Sequence, residues 1–264
     1  MKVAALQMVS GPDVAANLAT ARRLLEQAAA QGARLAALPE YFCLIGQHDR
    51  DKLAIAESLG DGPMQTMLAT AARELGLYVV GGTLPLKAET PDRVRNSTLV
   101  FDPQGQRIAR YDKIHLFAFD NGRESYDEGR VLEAGSEPAS FEVDGLRVGL
   151  SVCYDLRFPE LFRRYAPVDL LLVPAAFTHT TGQAHWELLL RARAVENQCY
   201  VLAPAQGGTH PNGRRTFGHT ELIDPWGQVL AVQAEGEGVV IGEVDPARVA
   251  QVREQLPALK HRKL

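Results

Sequence analysis

Apolar, β-branched runs recur at short intervals along the chain. They cover residues 2–8, 34–38, 77–82, 96–101, 107–111, 146–152, 168–173, 199–205, 217–223, 228–233 and 238–244. Their length and the turn-forming residues between them predict strands. Three longer stretches space their apolar residues like a helix. Residues 13–31 place Leu18, Leu24, Leu25 and Ala28 on one side, with Gly32 as a stop. Residues 63–75 end at Gly76, and residues 184–197 form a third amphipathic stretch. Strand–helix alternation mixed with hairpins predicts an α/β protein with mixed sheets.

One pattern occurs twice. Residues 97–106 and 220–228 both read strand, Asp-Pro-x-Gly turn, strand. Pro103 and Pro225 preset the first central residue of the turn, and Gly105 and Gly227 supply its positive φ. Two matching hairpins suggest two similar halves and hence two sheets packed face to face. Gly236–Gly242 superficially suggests a dinucleotide loop, but the spacing is wrong and no helix follows, so a hairpin is expected there. No Pro/Gly/Ser-rich linker separates the halves, and residues 1–264 are expected to form one domain.

Composition narrows the class. With 46% hydrophobic and 23% charged residues, the chain has the make-up of an ordinary globular protein. A net charge of −4 gives no general attraction to nucleic acid or anionic membrane. The basic run Lys260–Lys263 reads as a solvated end. No stretch has transmembrane length, and Met1–Gln7 turns polar too soon for a signal-peptide core. Cys43, Cys153 and Cys199 are odd in number and far apart, which fits neither a disulfide framework nor a zinc pattern. A cytoplasmic location is expected.

The chemistry concentrates at Val148–Glu160. An apolar run ends on Cys153, and an amphipathic stretch with Leu156, Leu161, Phe162 and Tyr165 follows at once. A thiol on a strand-to-helix turn faces unpaired N–H groups and a partial positive charge, which favour thiolate over thiol. Taken alone, Cys153 could equally be a small packed hydrophobe. Two further strand-like runs end on useful groups: 34–38 leads to Glu40, and 107–111 leads to Lys113. Singly these read as a solvated carboxylate and a surface cation. Together with Cys153 they supply a nucleophile, a proton carrier and a fixed positive charge at strand ends, where α/β sheets place their chemistry.

Leu38–Phe42, Tyr111–Phe117 and Ser151–Glu160 resemble, in the right order, the Glu–Lys–Cys signature of the nitrilase (carbon–nitrogen hydrolase) superfamily. The resemblance runs from Val3–Met8 to near Asp224–Gly227. It implies a four-layer α-β-β-α sandwich, hydrolysis of a small-molecule amide or nitrile through a thioester, no cofactor or metal, and a homodimer. Such hydrolysis needs the thiol deprotonated, the oxyanion stabilised and the poor amine leaving group protonated. The resemblance gives Glu40 the base-then-acid role. Lys113 lowers the thiol pKa and stabilises the oxyanion, with help from the backbone N–H of Tyr154. A second, substrate-positioning glutamate is implied after the lysine motif, with Glu124 the best match and Glu128 its competitor.

Rival readings fare less well. A Cys–His–Asp hydrolase could recruit His115, His179, His185 or His219, but its elbow wants Gly two residues either side of the nucleophile, where this chain has Ser151 and Asp155. His115 is expected to brace the Lys113 loop. Cys43 and Cys199 are expected to pack, with Cys43 near the pocket. No P-loop run is present. A non-catalytic binding protein on this fold would be expected to have lost one of the three groups. Residues 184–201 and 205–219, with Asp224–Gly227, resemble the amidase branch holding omega-amidases and deaminated glutathione amidases, and lean towards the latter. N-carbamoyl amidohydrolase and nitrilase activities are the wider alternatives. Both branch substrates are α-keto acids with a terminal amide, so a carboxylate-holding residue is expected among Arg123, Tyr126, Arg214 and Arg215.

Overall fold

The structure is a computed structural model and describes residues 1–122 and 125–263. Its strands are β1 Lys2–Gln7, β2 Leu35–Ala37, β3 Tyr78–Val80, β4 Leu84–Lys87, β5 Val94–Phe101, β6 Arg107–Asp112, β7 Ala118–Asp120, β8 Ser125–Asp127, β9 Ser140–Val143 and β10 Leu146–Leu150. They continue as β11 Leu170–Leu172, β12 Tyr200–Ala203, β13 Gly207–Thr209, β14 Arg215–Phe217, β15 Thr220–Ile223, β16 Val229–Gln233 and β17 Gly238–Glu243. The helices are α1 Val14–Ala30, α2 Asp51–Ala54, α3 Pro63–Leu75, α4 Pro159–Tyr165, α5 His179–Asn197 and α6 Pro246–Gln255.

One sheet runs β17-β1-β2-β3-β5-β4 with β6 on β5, and the second runs β16-β15-β12-β11-β10-β9. The central strands β1, β2 and β3 are parallel in the first sheet, as are β10, β11 and β12 in the second. Period-2 alternation in β1 assigns the layers. Val3 and Ala5 join the core shared with the second sheet, while Ala4 and Leu6 pack with Leu24 and Leu25 of α1 and Leu68 of α3. On the second sheet's far side, Phe162 of α4 and Trp186 and Leu190 of α5 extend the shared core. The result is the expected α-β-β-α sandwich.

The two Asp-Pro-x-Gly turns match atom for atom, one in each sheet. Asp102 Oδ1 accepts from the N–H groups of Gln104 and Gln106 at 2.9 and 2.8 Å, and Asp224 Oδ1 accepts from Trp226 and Gln228 at 2.9 Å each. The expected hairpin around Gly236 is not formed. β16 belongs to the second sheet, while β17 crosses to the first and pairs antiparallel with β1. The glycine turn therefore links two layers. Helix α5 starts at His179, five residues before its periodic stretch. Packing explains this, since a Cβ on Gly182 would lie 2.4 Å from Phe217 Cβ. Only glycine lets this end of the helix approach so closely.

Candidate active site

Three strand ends deliver the three groups. Beyond β2, the Leu38 N–H donates to Val80 O at 2.9 Å and the Tyr41 N–H to Thr83 Oγ1 at 2.8 Å, which fixes the backbone on both sides of Glu40. Gly82 closes this approach. Its φ is +47°, and a Cβ there would lie 2.0 Å from Pro39 O. Lys113 follows β6 directly, and its N–H donates to Asn96 O at 3.0 Å. Cys153 follows β10 after two residues and opens the 3-10 turn Cys153–Arg157 at φ +48°. The left-handed backbone makes a sharp elbow without the flanking glycines that such turns often use. Instead, Ser151 Oγ donates to Leu172 O at 2.8 Å, and Asp155 Oδ2 accepts from the Val152 N–H at 2.8 Å.

The side chains converge in a buried network. Glu40 is 1% exposed; its Oε1 accepts from Lys113 Nζ at 3.0 Å and Asn96 Nδ2 at 2.9 Å, and its Oε2 accepts from the Ala176 N–H at 2.9 Å. Glu128 accepts from Lys113 Nζ at 2.9 Å (Oε1) and 2.7 Å (Oε2), from the Tyr41 hydroxyl at 2.8 Å and from the Phe117 N–H at 2.7 Å. Glu40, Glu128 and Cys153 line one narrow cavity with Tyr154, Phe177 and Arg214. Tyr154 follows Cys153 in the opening turn, where backbone N–H groups lack intrahelical partners. Its ring packs edge-on against Phe117 at 5.2 Å and Phe158 at 5.3 Å.

Burial opposes the charge on Lys113, yet Glu128, Glu40 and Cys153 outweigh it and raise its pKa. Burial also works against Glu128, but Lys113 and the Phe117 and Tyr41 donors hold its carboxyl below the usual range. For Cys153 the expectation from sequence is overturned. Burial pushes the thiol well above its ordinary range and Glu40 and Glu128 add to this, while the pull of Lys113 and Ala176 is weaker. The helix end is a short 3-10 turn and the thiol is 8% exposed, so dipole stabilisation loses to desolvation and the carboxylates.

The structure brings together Glu40, Lys113, Cys153 and Tyr154, together with Glu128. Glu124 and Arg123 lie outside the described residues. Arg215 is exposed and pairs with Glu235 at 3.9 Å, away from the cavity, whereas Arg214 lines it. His115 braces the lysine loop: its N–H and Nδ1 lie 3.0 and 2.7 Å from Asp155 Oδ1. No described histidine borders the cavity that holds Cys153. Cys43 and Cys199 are buried packing residues, and burial pushes the Cys43 thiol up to about 12. Asn96, Ala176, Tyr41 and Asp155 are additions that sequence reasoning missed. Asp155 alone carries a signal, being two residues after Cys153. Among the described residues, no cluster of three or more His, Cys, Asp or Glu could hold a metal, and no helix is long and apolar enough to cross a membrane.

The profile of the carbon–nitrogen hydrolase family matches residues 2–254. The chain belongs to the carbon–nitrogen hydrolase family. It is 42% identical to a deaminated glutathione amidase of Synechocystis over 265 residues, covering 98% of this chain and 97% of that protein. It is 35% identical to the omega-amidase NIT2 of Homo sapiens over 250 residues, covering 94% and 89%. The crystal structure of Saccharomyces cerevisiae Nit3, described as a member of branch 10 of the nitrilase superfamily, superposes with a TM-score of 0.89. The two are 29% identical, with 100% of this chain and 97% of that one covered. This carbon–nitrogen hydrolase is accordingly an enzyme acting on amide C–N bonds.

Proposed function

We propose that the enzyme hydrolyses the terminal amide of a small α-keto acid through a thioester on Cys153, with deaminated glutathione the preferred substrate. The convergence of Glu40, Lys113 and Glu128 on the cavity of Cys153 carries this reading. A thiol held above its ordinary range needs a base as it attacks. Glu40 receives the thiol proton and returns it to the departing amine. Lys113 balances the developing oxyanion, assisted by the Tyr154 N–H. Glu128 fixes the lysine and faces the reacting carbonyl, and it fills the place of the second glutamate. Water then attacks the thioester with Glu40 as base, releasing the keto acid.

The identity to the deaminated glutathione amidase of Synechocystis supports the substrate; the likeness to omega-amidase NIT2 makes α-ketoglutaramate the second reading. The enzyme acts as one domain of residues 1–264 in the cytoplasm, a placement that three free cysteines favour. It pairs as a homodimer through α5 and the Asp224–Gly227 turn. There Leu188, Val195 and Trp226 are 67%, 49% and 56% exposed, and the Arg191 Nε–H donates to Gly227 O at 2.8 Å. No cofactor, nucleic acid or membrane partner takes part.

An activity panel of deaminated glutathione, α-ketoglutaramate, an N-carbamoyl amino acid and an aliphatic nitrile tests this. The highest kcat/KM is expected for deaminated glutathione. A higher value for α-ketoglutaramate would move the enzyme to the omega-amidases, and turnover of only the last two would overturn the keto-acid reading.

A further inference from the structure

Beside the catalytic cavity lies a larger hollow of about 420 Å³, bordered by Tyr41, Asp49, Lys52, Tyr126, Asn212 and Arg214. That volume falls within the few hundred to about 1,000 Å³ usual for small-molecule sites. The two spaces adjoin: a small hollow between them is lined by Phe117 and Glu128 together with Lys52 and Tyr126, and Arg214 borders all three.

Arg214 borders both hollows. Its guanidinium lies 5.4 Å over the Tyr126 ring, and one N–H donates to Ala176 O at 3.3 Å. Its Nε is buried and has no hydrogen-bond partner among the described residues. No described carboxylate pairs with it, whereas Arg215 has Glu235 at 3.9 Å and Lys52 has Asp49 at 3.5 Å. A buried donor left unpaired is unfavourable unless a ligand satisfies it. The reacting centre holds two carboxyl groups against one lysine. Two arginines stand beside it: Arg157, stacked over the Phe177 ring at 5.2 Å, and Arg214, which alone of the two also borders the outer hollow.

We propose that this outer hollow binds the amine side of the substrate, and that the Arg214 fork there receives a carboxylate carried by the leaving amine. The inference rests on the keto-acid amidase reading and deepens it. The planar guanidinium matches a carboxylate with two parallel hydrogen bonds, which Lys52, half-neutralised by Asp49, does not offer. An amidase that releases only ammonia would leave the hollow unused; one that releases a dipeptide such as cysteinylglycine would fill it. Binding energy remote from the scissile bond then orients the amide over Cys153.

Direct titration separates this from the catalytic reading because it needs no turnover. Reduced cysteinylglycine and its C-terminal amide are titrated against the intact protein by ligand-observed NMR, for wild type, Arg214→Gln and Arg214→Lys. The free carboxylate is expected to bind about tenfold tighter than the amide to wild type. Arg214→Gln should erase the preference, and Arg214→Lys should retain part of it. Equal binding of the two dipeptides by wild type, or an unchanged preference in a folded Arg214→Gln protein, would overturn the proposal. Should Arg214→Gln fail to fold, Arg214→Lys decides: a full preference there contradicts the fork. Carboxylate preference without turnover of any keto-acid amide would sink the catalytic reading while this one stands.

Discussion

Both oxygens of Glu128 accept from the Lys113 ammonium, at 2.9 and 2.7 Å. Lys113 also donates to Glu40 Oε1 at 3.0 Å, so its charge is shared between the two carboxylates and held by hydrogen bonds to both. A lysine aimed this firmly can act on an oxyanion without reorganising as the reaction proceeds.

Glu128→Gln removes the stronger half of that clamp while preserving shape. A fall in kcat of about a hundredfold is expected, comparable to loss of one oxyanion donor. Steady-state kinetics with a thermal melt of the variant checks this. A rise in KM with kcat intact would make Glu128 a binding group only.

Cys153→Ala should keep the fold and lose activity by several orders of magnitude. Glu40→Gln and Lys113→Ala should each nearly abolish turnover, and the double variant should be little worse than either. Groups acting as one unit do not add. Additive losses, measured as log kcat/KM over the four proteins, would break the unit assigned here.

Burial and the two glutamates keep the Cys153 thiol protonated at neutral pH. The sign is that of a raised acid: the thiolate fraction grows only as pH climbs past the ordinary thiol value of about 8.5. Iodoacetamide labelling from about pH 6 to about pH 10 should still be accelerating at the upper end, with Cys153→Ser as the blank. Lys113→Ala removes a counter-charge and should slow labelling at any given pH. A rate that levels off below about pH 7 would show a thiolate already present at rest.

The central strands and helices α1 and α3 were legible because their apolar periodicity is decided locally and their ends carry turn residues. The strands left unread, β4, β7–β9, β13 and β14, are short and lie at sheet edges or in two-stranded ribbons, where only tertiary pairing distinguishes them from loop. The start of α5 was hidden for a similar reason: Thr180, Thr181 and Gly182 are weak helix formers, and contact with Phe217 overrides propensity. The crossing of β17 to the other sheet is invisible in a sequence that offers only a glycine between two strands. In the site, Glu40, Lys113 and Cys153 were readable as residue types at strand ends. Asn96 and the Ala176 N–H were not, since nothing local marks them as partners of Glu40. The thiol's direction of shift is not legible in sequence, because burial and neighbouring carboxylates are properties of the assembled cavity.

Asp155 ties the segments that carry Lys113 and Cys153 together. Its carboxylate accepts from the Tyr111 hydroxyl at 2.7 Å, the Val152 N–H at 2.8 Å and the His115 N–H at 3.0 Å, and it is wholly buried. Asp155→Asn keeps the volume but turns one acceptor into a donor facing N–H groups. Loss of kcat by about tenfold to a hundredfold is expected, alongside destabilisation of about 1–3 kcal/mol from the mismatched donor. Positioning predicts that KM for the amide changes less than kcat. Wild-type kcat in a folded Asp155→Asn protein would show that the bridge does not align the site.

Glu221 offers a prediction outside the catalytic centre. It is 1% exposed on β15, its Oε2 has no partner among the described residues, and burial, aided by Glu187, pushes its carboxyl up to about 8. The unfolded chain ionises this group near about pH 4.3, so the folded state binds the extra proton between that value and about 8. Its contribution is fully present below the unfolded value and is lost as pH rises through the folded one. Wild type should therefore weaken across this window relative to Glu221→Gln, whose neutral amide does not titrate. Unfolding free energies from urea titrations of the two proteins should be close near about pH 5 and separate by on the order of a few kcal/mol by about pH 9. A difference that stays constant across that range would mean that Glu221 ionises in the folded protein as readily as in the unfolded chain.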